Sequence, residues 1–116
     1  MTQHWTETVE LNGEAFFIRH WGDKDAPKLL MLHGFPEYSG AWNDLAPLLA
    51  EKFHCIAPDQ RGYGQSWRPA DPALYKTSLL VSDMAALIGD EPVILLGHDW
   101  GASVAYALTL GRPELV

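Results

Sequence analysis

Three short apolar runs alternate with segments of helical periodicity along most of this chain. The runs are residues 28–33, 53–57 and 93–96, and each is followed by glycine or proline. Apolar runs of this length without polar alternation are typical of strands that are buried on both faces. A segment with apolar residues at helical spacing follows each run. The resulting order, β-α-β-α-β-α, predicts an α/β fold in which helices cover both faces of a parallel sheet.

An antiparallel hairpin is predicted before the first of these runs. Residues 5–11 and 14–21 alternate loosely between polar and apolar side chains and flank Asn12-Gly13. That dipeptide is a strong signal for a two-residue turn, because both turn positions need a positive φ. Residues 60–75 are rich in proline and glycine and are predicted to form a loop. The helices are expected within residues 42–49, 80–88 and 102–110.

Length and composition fit a single globular domain, because domains usually run to roughly 100–200 residues. Apolar residues make up 47% of the chain. No apolar run reaches the roughly 18 residues that a membrane helix needs, so we expect no membrane partner. The net charge of −7 argues against a nucleic-acid partner, since binding to phosphates needs clustered lysine and arginine. The single cysteine, Cys55, cannot form an intrachain disulfide and suits the reducing cytoplasm, where we expect the protein.

The sharpest motif is Gly97-His98-Asp99-Trp100-Gly101, which lies between a predicted strand and a predicted helix. A nucleophile elbow requires small residues on both sides of the nucleophile, because its backbone turn is tight and strained. Such an elbow lifts its central side chain clear of the strand, at a helix N-terminus that favours negative charge. Asp99 is therefore the predicted catalytic nucleophile. The alternative is that Asp99 is an ordinary N-cap of the following helix.

A second motif, His33-Gly34-Phe35-Pro36, follows the first apolar run. Attack on an ester carbonyl builds negative charge on oxygen, which two preset backbone N–H donors can stabilise. The predicted donors of this oxyanion hole are the N–H of Phe35 and the N–H of Trp100, just after the nucleophile. The alternative is an ordinary Gly-Pro turn without a chemical role.

These motifs, taken in order, resemble the epoxide hydrolase branch of the α/β-hydrolases. The resemblance covers nearly the whole chain. It rests on His33-Gly34-Phe35-Pro36-Glu37 with Trp42, Ala57-Pro58-Asp59-Gln60-Arg61-Gly62-Tyr63-Gly64-Gln65-Ser66, Gly97-His98-Asp99-Trp100-Gly101-Ala102 and Gly111-Arg112-Pro113-Glu114.

The resemblance implies a two-step hydrolysis of a small epoxide without a metal ion or organic cofactor. Asp99 would open the epoxide from the back side and become esterified, and a water activated by a histidine–acid pair would cleave the ester. The product would be a vicinal diol. We expect the substrate pocket to include His33, Pro36, His98 and Trp100, with His33 bracing its loop rather than taking part in the chemistry.

Haloalkane dehalogenases are the nearest rival, because they resemble this chain in the aspartate nucleophile and often in the tryptophan after it. The indole N–H of Trp100 would hold a leaving halide. Many of those enzymes carry asparagine where this chain has Phe35, which offers no side-chain donor, so epoxides are favoured over halogenated alkanes.

Other polar side chains near the motifs are assigned lesser roles. Ser103 lies inside the predicted helix without the glycines of an elbow, and we reject it as a nucleophile. Asp59 and Arg61 are predicted to pin the loop at residues 62–64, as the matching motif does in the family.

The resemblance also implies a catalytic acid, a histidine base and lid tyrosines after the nucleophile, and none of these can be placed in this chain. We expect residues 1–116 to be the N-terminal portion of a single α/β-hydrolase core domain, without the lid and the C-terminal part and inactive alone. A non-catalytic binding module and one half of a split enzyme remain open. The partners left open are a second copy, giving a homo-oligomer, or a complementing chain.

Overall fold

The computed structural model of the protein describes residues 3–116. This part of the chain forms one five-stranded sheet with helices packed against it. The strands are β1 (His4–Leu11), β2 (Glu14–Trp21), β3 (Lys28–Leu32), β4 (His54–Pro58) and β5 (Ile94–Gly97). The α-helices are α1 (Ala46–Leu49), α2 (Thr77–Ile88) and α3 (Trp100–Gly111), and short 3-10 helices occupy Ser39–Trp42, Pro72–Tyr75 and Pro113–Leu115.

The sheet is mixed, and its strand order is β1-β2-β4-β3-β5. The hairpin partners β1 and β2 are antiparallel, and β2 also pairs antiparallel with β4. Strand β3 pairs parallel with both β4 and β5. The predicted turn joins the hairpin, with φ values of 53° at Asn12 and 84° at Gly13. The prediction of an antiparallel hairpin followed by parallel strands is thus confirmed.

Alternate residues of the strands build two separate cores, one on each face of the sheet. On one face, Leu30 and Leu32 of β3 pack with Met84 of α2 and with Val104 and Leu108 of α3. The other face carries α1 and the first 3-10 helix. Its buried members include Trp21, Leu29, Met31, Trp42, Ala46 and Cys55. Helices therefore cover both faces, as the sequence pattern predicts.

The helical segments differ from the prediction at their ends. Residues 42–49 are not one helix, because Pro47 has no N–H to donate within a helix and lies in the first turn of the short α1. The predicted loop at 60–75 closes with a 3-10 helix. Helix α3 begins at Trp100, two residues earlier than expected, so it follows Asp99 directly. None of the helices within residues 3–116 is long and apolar enough to cross a bilayer.

Candidate active site

The pairing of β3 with β5 brings the two predicted motifs together. The register places Leu32 opposite Gly97, so the loops that leave the two strands start side by side. The N–H of His98 donates to the carbonyl oxygen of Leu32 at 3.1 Å and extends the pairing by one residue. Both loops leave from the carboxyl ends of parallel strands, which is where open α/β sheets place their ligands.

Three glycines allow these loops to approach closely. A Cβ atom at Gly101 would lie 2.2 Å from the carbonyl oxygen of Leu32, and one at Gly97 would lie 2.7 Å from the carbonyl oxygen of Gly101. A Cβ atom at Gly34 would lie 2.5 Å from the Cβ of Asp99. Real Cβ atoms do not approach that closely, so these positions need glycine for the loops to meet.

The backbone at Asp99 is strained, and its side chain does not cap α3. Asp99 has φ 58° and ψ −123°, a region that residues other than glycine rarely occupy. The N–H groups of Gly101 and Ala102 donate to the backbone carbonyl oxygens of His98 and Asp99 and not to this carboxylate, so it makes no capping hydrogen bond. Instead, the N–H of Phe35 donates to Oδ2 of Asp99 at 3.0 Å. The N-cap interpretation does not describe this geometry, because the carboxylate is exposed and points towards the loop after β3.

Backbone donors hold this carboxylate in its charged form. The N–H of Phe35, followed by the N–H of Trp100, lowers the pKa of Asp99 below its ordinary value. These are the two donors expected to stabilise the oxyanion of an ester intermediate. Because an ionised carboxylate is the form that attacks carbon, the arrangement suits nucleophilic chemistry over the neutral pH range.

His33 is buried behind the loop and holds it in place. Its Nε2 accepts a hydrogen bond from the N–H of Gln60 at 3.1 Å, so Nδ1 carries the proton and donates to the carbonyl oxygen of Gly34 at 3.0 Å. The side-chain amide of Gln60 donates to the carbonyl oxygen of His33 at 2.8 Å. Burial lowers the pKa of His33, which keeps the ring neutral in this bracing role.

Glu37 links the two loops, although its role was not predicted from the sequence. Its Oε1 accepts from the N–H of Gly34 at 3.0 Å and lies 3.3 Å from Nδ1 of His98. The N–H of Glu37 also donates to the carbonyl oxygen of Gly34 at 2.9 Å, which closes a tight turn. The sequence signal for this role is an acidic residue three positions after Gly34. That signal does not identify His98 as the partner, because the two residues meet only through the pairing of β3 with β5.

A cavity of about 280 Å³ lies between the loop after β4 and the N-terminal turn of α3, and its lining includes Phe35 and Trp100 but not Asp99 itself. His33, Phe35 and Trp100 line this cavity. Pro36 and His98 are exposed and do not line it. Its other lining residues are Gln60, Arg61, Tyr63, Tyr75, Thr77, Leu80, Ser103 and Val104. The structure therefore brings two of the four expected pocket residues to the cavity.

Asp59 and Arg61 both fix the loop after β4, but through different partners. Asp59 accepts from the N–H of Gln65 at 2.9 Å and from the N–H of Ser39 at 2.7 Å. Arg61 instead makes two hydrogen bonds to the carboxylate of Asp83 in α2, at 2.9 and 2.8 Å.

Within residues 3–116, no group of three or more His, Cys, Asp or Glu side chains is arranged to hold a metal ion.

Comparison with known proteins agrees with this architecture. A family model of the alpha/beta hydrolase fold matches residues 27–116. The chain belongs to the α/β-hydrolase fold family. Within this family, the resemblance to epoxide hydrolases is confirmed by relatives and solved structures that carry that name.

Three of these matches define how far the similarity extends. The chain is 41% identical over 110 residues to an AB hydrolase superfamily protein of Bacillus subtilis, covering 91% of this chain and 38% of that protein. It is 39% identical over 112 residues to epoxide hydrolase A of Mycobacterium tuberculosis, covering 93% of this chain and 35% of the relative. The crystal structure of epoxide hydrolase A from Mycobacterium thermoresistibile superposes with a TM-score of 0.94 at 35% identity, covering 98% of this chain and 37% of that one. The chain thus spans little more than a third of the length of these three proteins.

Proposed function

We propose that this α/β-hydrolase chain carries the nucleophile of an epoxide hydrolase. One observation carries the proposal: the Asp99 carboxylate stands on a strained turn, exposed and held by the Phe35 N–H, rather than capping α3. Residues other than glycine that adopt strained backbone conformations are concentrated at functional sites. They persist only where the surrounding packing holds them in place. The similarity to proteins named epoxide hydrolases supports the choice of reaction.

The chemistry begins with the free carboxylate oxygen of Asp99. This oxygen attacks a ring carbon of the epoxide, the carbon–oxygen bond of the ring breaks, and in this chain the released alkoxide takes a proton from water. The result is a hydroxyalkyl ester of Asp99. Water then adds to the ester carbonyl, whose oxygen would lie where Oδ2 now accepts from the N–H of Phe35. Collapse of this adduct frees the vicinal diol and restores the carboxylate.

The second step needs a base that activates water. Buried His33 has both ring nitrogens occupied in bracing the loop, so it is not this base. His98 is exposed beside Glu37, and an elbow directs its neighbours away from the nucleophile. We propose that the acid, the histidine base and the lid tyrosines come from a region that the matched relatives have and residues 1–116 do not match, so that the ester on Asp99 persists in this chain.

A second candidate function is dehalogenation of a haloalkane by the same carboxylate. The observation in its favour is Trp100, which follows the nucleophile and is 64% exposed, so that its indole N–H is free to meet a leaving halide. Phe35 adds no side-chain donor to that site. Epoxides therefore remain the favoured substrates, and a role as a binding module or as half of a split enzyme forms the non-catalytic alternative.

Covalent labelling tests the proposal. The chain is incubated with styrene oxide and its intact mass is measured over time. We expect one adduct per chain that persists, with the labelling rate at least tenfold lower in Asp99→Asn. Asp90→Asn, which removes an exposed carboxylate in a remote turn, is the matched control and should label like the unchanged chain.

The alternatives give different outcomes in the same assay. Labelling by 1-bromobutane with release of bromide, and none by styrene oxide, would replace the epoxide proposal with the dehalogenase one. Equal labelling of Asp99→Asn and the unchanged chain, or no labelling by either reagent, would contradict a nucleophilic Asp99 and leave the binding-module interpretation.

A further inference from the structure

The tip of the β1–β2 hairpin carries the one asparagine of the chain that is followed by glycine. Asn12 and Gly13 are both exposed, and a Cβ atom added at Gly13 would have nothing within 4 Å. Because glycine has no side chain, its backbone nitrogen is not shielded from the side chain of the residue before it. We propose that Asn12 is a modification site, at which spontaneous deamidation converts a neutral amide into a carboxylate.

The reaction needs water as its only co-reactant. The backbone nitrogen of Gly13 attacks the side-chain carbonyl carbon of Asn12 and forms a new C–N bond. The bond from that carbon to Nδ2 breaks, and the amide group leaves as ammonia with the proton that the backbone nitrogen gives up. Water then opens the resulting succinimide ring at either of its two carbonyl carbons. One opening gives aspartate at position 12, and the other gives isoaspartate, in which the main chain runs through the former side chain.

The side-chain amide of Asn12 joins the hairpin to α2. Its Nδ2 donates to Oγ of Ser82 and to Oδ1 of Asp83, each at 3.2 Å. Asp83 is buried, and the same Oδ1 also accepts a hydrogen bond from the guanidinium of Arg61 at 2.8 Å. The two bonds restrain the amide, so we expect the attack by the nitrogen of Gly13 to follow their transient breaking at the exposed turn.

Deamidation would reverse the electrostatics of this contact. A carboxylate at position 12 has no proton to donate at neutral pH, and it would place a second negative charge beside Asp83. Like charges at such a separation repel each other, and more strongly where one of them is buried. Arg61 supplies one positive charge for both carboxylates while it also donates to the carbonyl oxygen of Leu74 at 2.7 Å. The modified hairpin tip should therefore separate from α2, which makes the fold less stable.

Ageing of the full chain tests whether the modification occurs. The protein is incubated at physiological temperature and pH, and peptide mass spectrometry follows deamidation at each asparagine. Asn43, the other asparagine, is also exposed but precedes Asp44, whose side chain and charge hinder the attack. We expect Asn12 to deamidate at least tenfold faster than Asn43. Equal rates at the two positions, or an Asn12 that stays unmodified, would overturn the modification site.

Two substitutions at position 12 test the consequence of the new charge. Asn12→Asp reproduces the aspartate product, whereas Asn12→Gly removes the same hydrogen bonds without adding a charge. Asp-Gly and Gly-Gly both favour this type of turn, so neither substitution disrupts the hairpin itself. We expect the equilibrium constant for unfolding, measured by urea denaturation at neutral pH, to be at least fivefold larger for Asn12→Asp than for Asn12→Gly. Equal constants for the two variants would overturn the charge conflict with Asp83.

Discussion

At the scale of single residues, the site depends on one strained backbone position and on the glycines around it. A residue other than glycine with the φ and ψ of Asp99 costs about 1–3 kcal/mol, which the surrounding packing must offset. Gly34, Gly97 and Gly101 provide that packing, since each lies where a Cβ atom would collide with the opposite loop or turn. The hydrogen bond from Phe35 to Asp99 exists only because Gly34 lets the loop come so near.

Substituting Gly34 by alanine tests this dependence. The added Cβ would meet the Cβ of Asp99 at 2.5 Å and the carbonyl oxygen of His98 at 2.9 Å, so the two loops must separate. We expect the free energy of unfolding to fall by about 1–3 kcal/mol, the usual cost of overpacking. We also expect epoxide labelling to slow at least tenfold. Denaturant unfolding and intact-mass kinetics measure the two effects.

Gly111→Ala is the control for that substitution. Gly111 ends α3, and a Cβ atom there would have nothing within 4 Å. Its replacement should change stability by no more than about 1 kcal/mol and leave labelling unaffected. If Gly34→Ala behaved like Gly111→Ala in both measurements, the close approach of the two loops would not matter for Asp99.

At the scale of secondary-structure elements, a buried histidine pair joins the hairpin to the parallel strands. Nδ1 of His20 in β2 lies 2.8 Å from Nε2 of His54 in β4, and Nε2 of His20 bonds to Glu7 in β1. The indole of Trp5 stacks on both imidazole rings, with centroids 4.8 and 5.4 Å away. Nδ1 of His54 is buried and has no hydrogen-bond partner. The folded state is therefore more stable when the rings of His20 and His54 are both neutral.

Acid should weaken the fold through His54. Burial, reinforced by the positive charges of His20, Lys28 and Lys24 and opposed by Glu7, lowers the pKa of His54 to about 4. The unfolded chain takes up this proton below about pH 6.5, whereas the folded chain takes it up only near pH 4. The free energy of unfolding should therefore fall by about 3 kcal/mol as the pH drops from 6.5 to 4, then level off for this group.

Replacing His54 by phenylalanine isolates this contribution. The variant keeps a ring for Trp5 to stack on but cannot take up a proton. Between pH 6.5 and 4, the free energy of unfolding of this variant should fall by no more than half as much as that of the unchanged chain. Urea unfolding at several pH values measures both. His98→Gln, which removes an exposed histidine, serves as the control. Parallel stability curves for His54→Phe and the unchanged chain would contradict this account.

At the scale of the whole molecule, β5 forms an edge of the described sheet and carries exposed apolar side chains. Ile94 is 51% exposed, Tyr106 73% and Leu110 83%, and an open groove of about 600 Å³ runs along β5 and α3. An unpaired strand edge with apolar flanks is a template for association. We therefore expect the chain to self-associate into a homo-oligomer, one of the two partner arrangements that the sequence leaves open, unless a complementing chain occupies the edge.

Sedimentation velocity over a range of concentrations measures this association. Tyr106→Lys, which places a charge beside the groove, should shift the distribution towards monomer. Leu48→Lys changes a similarly exposed apolar residue, 71% accessible on α1, and should have no such effect. A monomeric chain at every concentration, or an equal response of the two variants, would contradict the expectation.

The sequence predicted those parts of the fold that local patterns determine. The apolar runs predicted the strands, Asn12-Gly13 predicted the hairpin, and the glycines beside Asp99 predicted a tight turn between β5 and α3. It did not predict that β4 lies between β2 and β3, because strand order depends on contacts between distant segments. For the same reason it missed the pairing of Glu37 with His98.

The partners of buried charged side chains could not be predicted from the sequence either. Arg61 and Asp59 stand two positions apart and share a motif, yet Arg61 pairs with Asp83 in the middle of α2, 22 positions further along the chain. The contribution of Tyr63 and Tyr75 to the cavity depends on how that loop folds back over α3. Such contacts follow from the tertiary packing, which no local pattern in the motif specifies.

The central claim is that the fold turns Asp99 into a nucleophile, and the site of labelling tests it most directly. The chain has 15 acidic side chains, so the folded protein and the urea-unfolded protein are each treated with styrene oxide and mapped by peptide mass spectrometry. We predict that the folded chain carries the ester on Asp99 in at least tenfold excess over any other carboxylate, and that unfolding removes the excess. Labelling spread over the exposed carboxylates in both states would contradict the account.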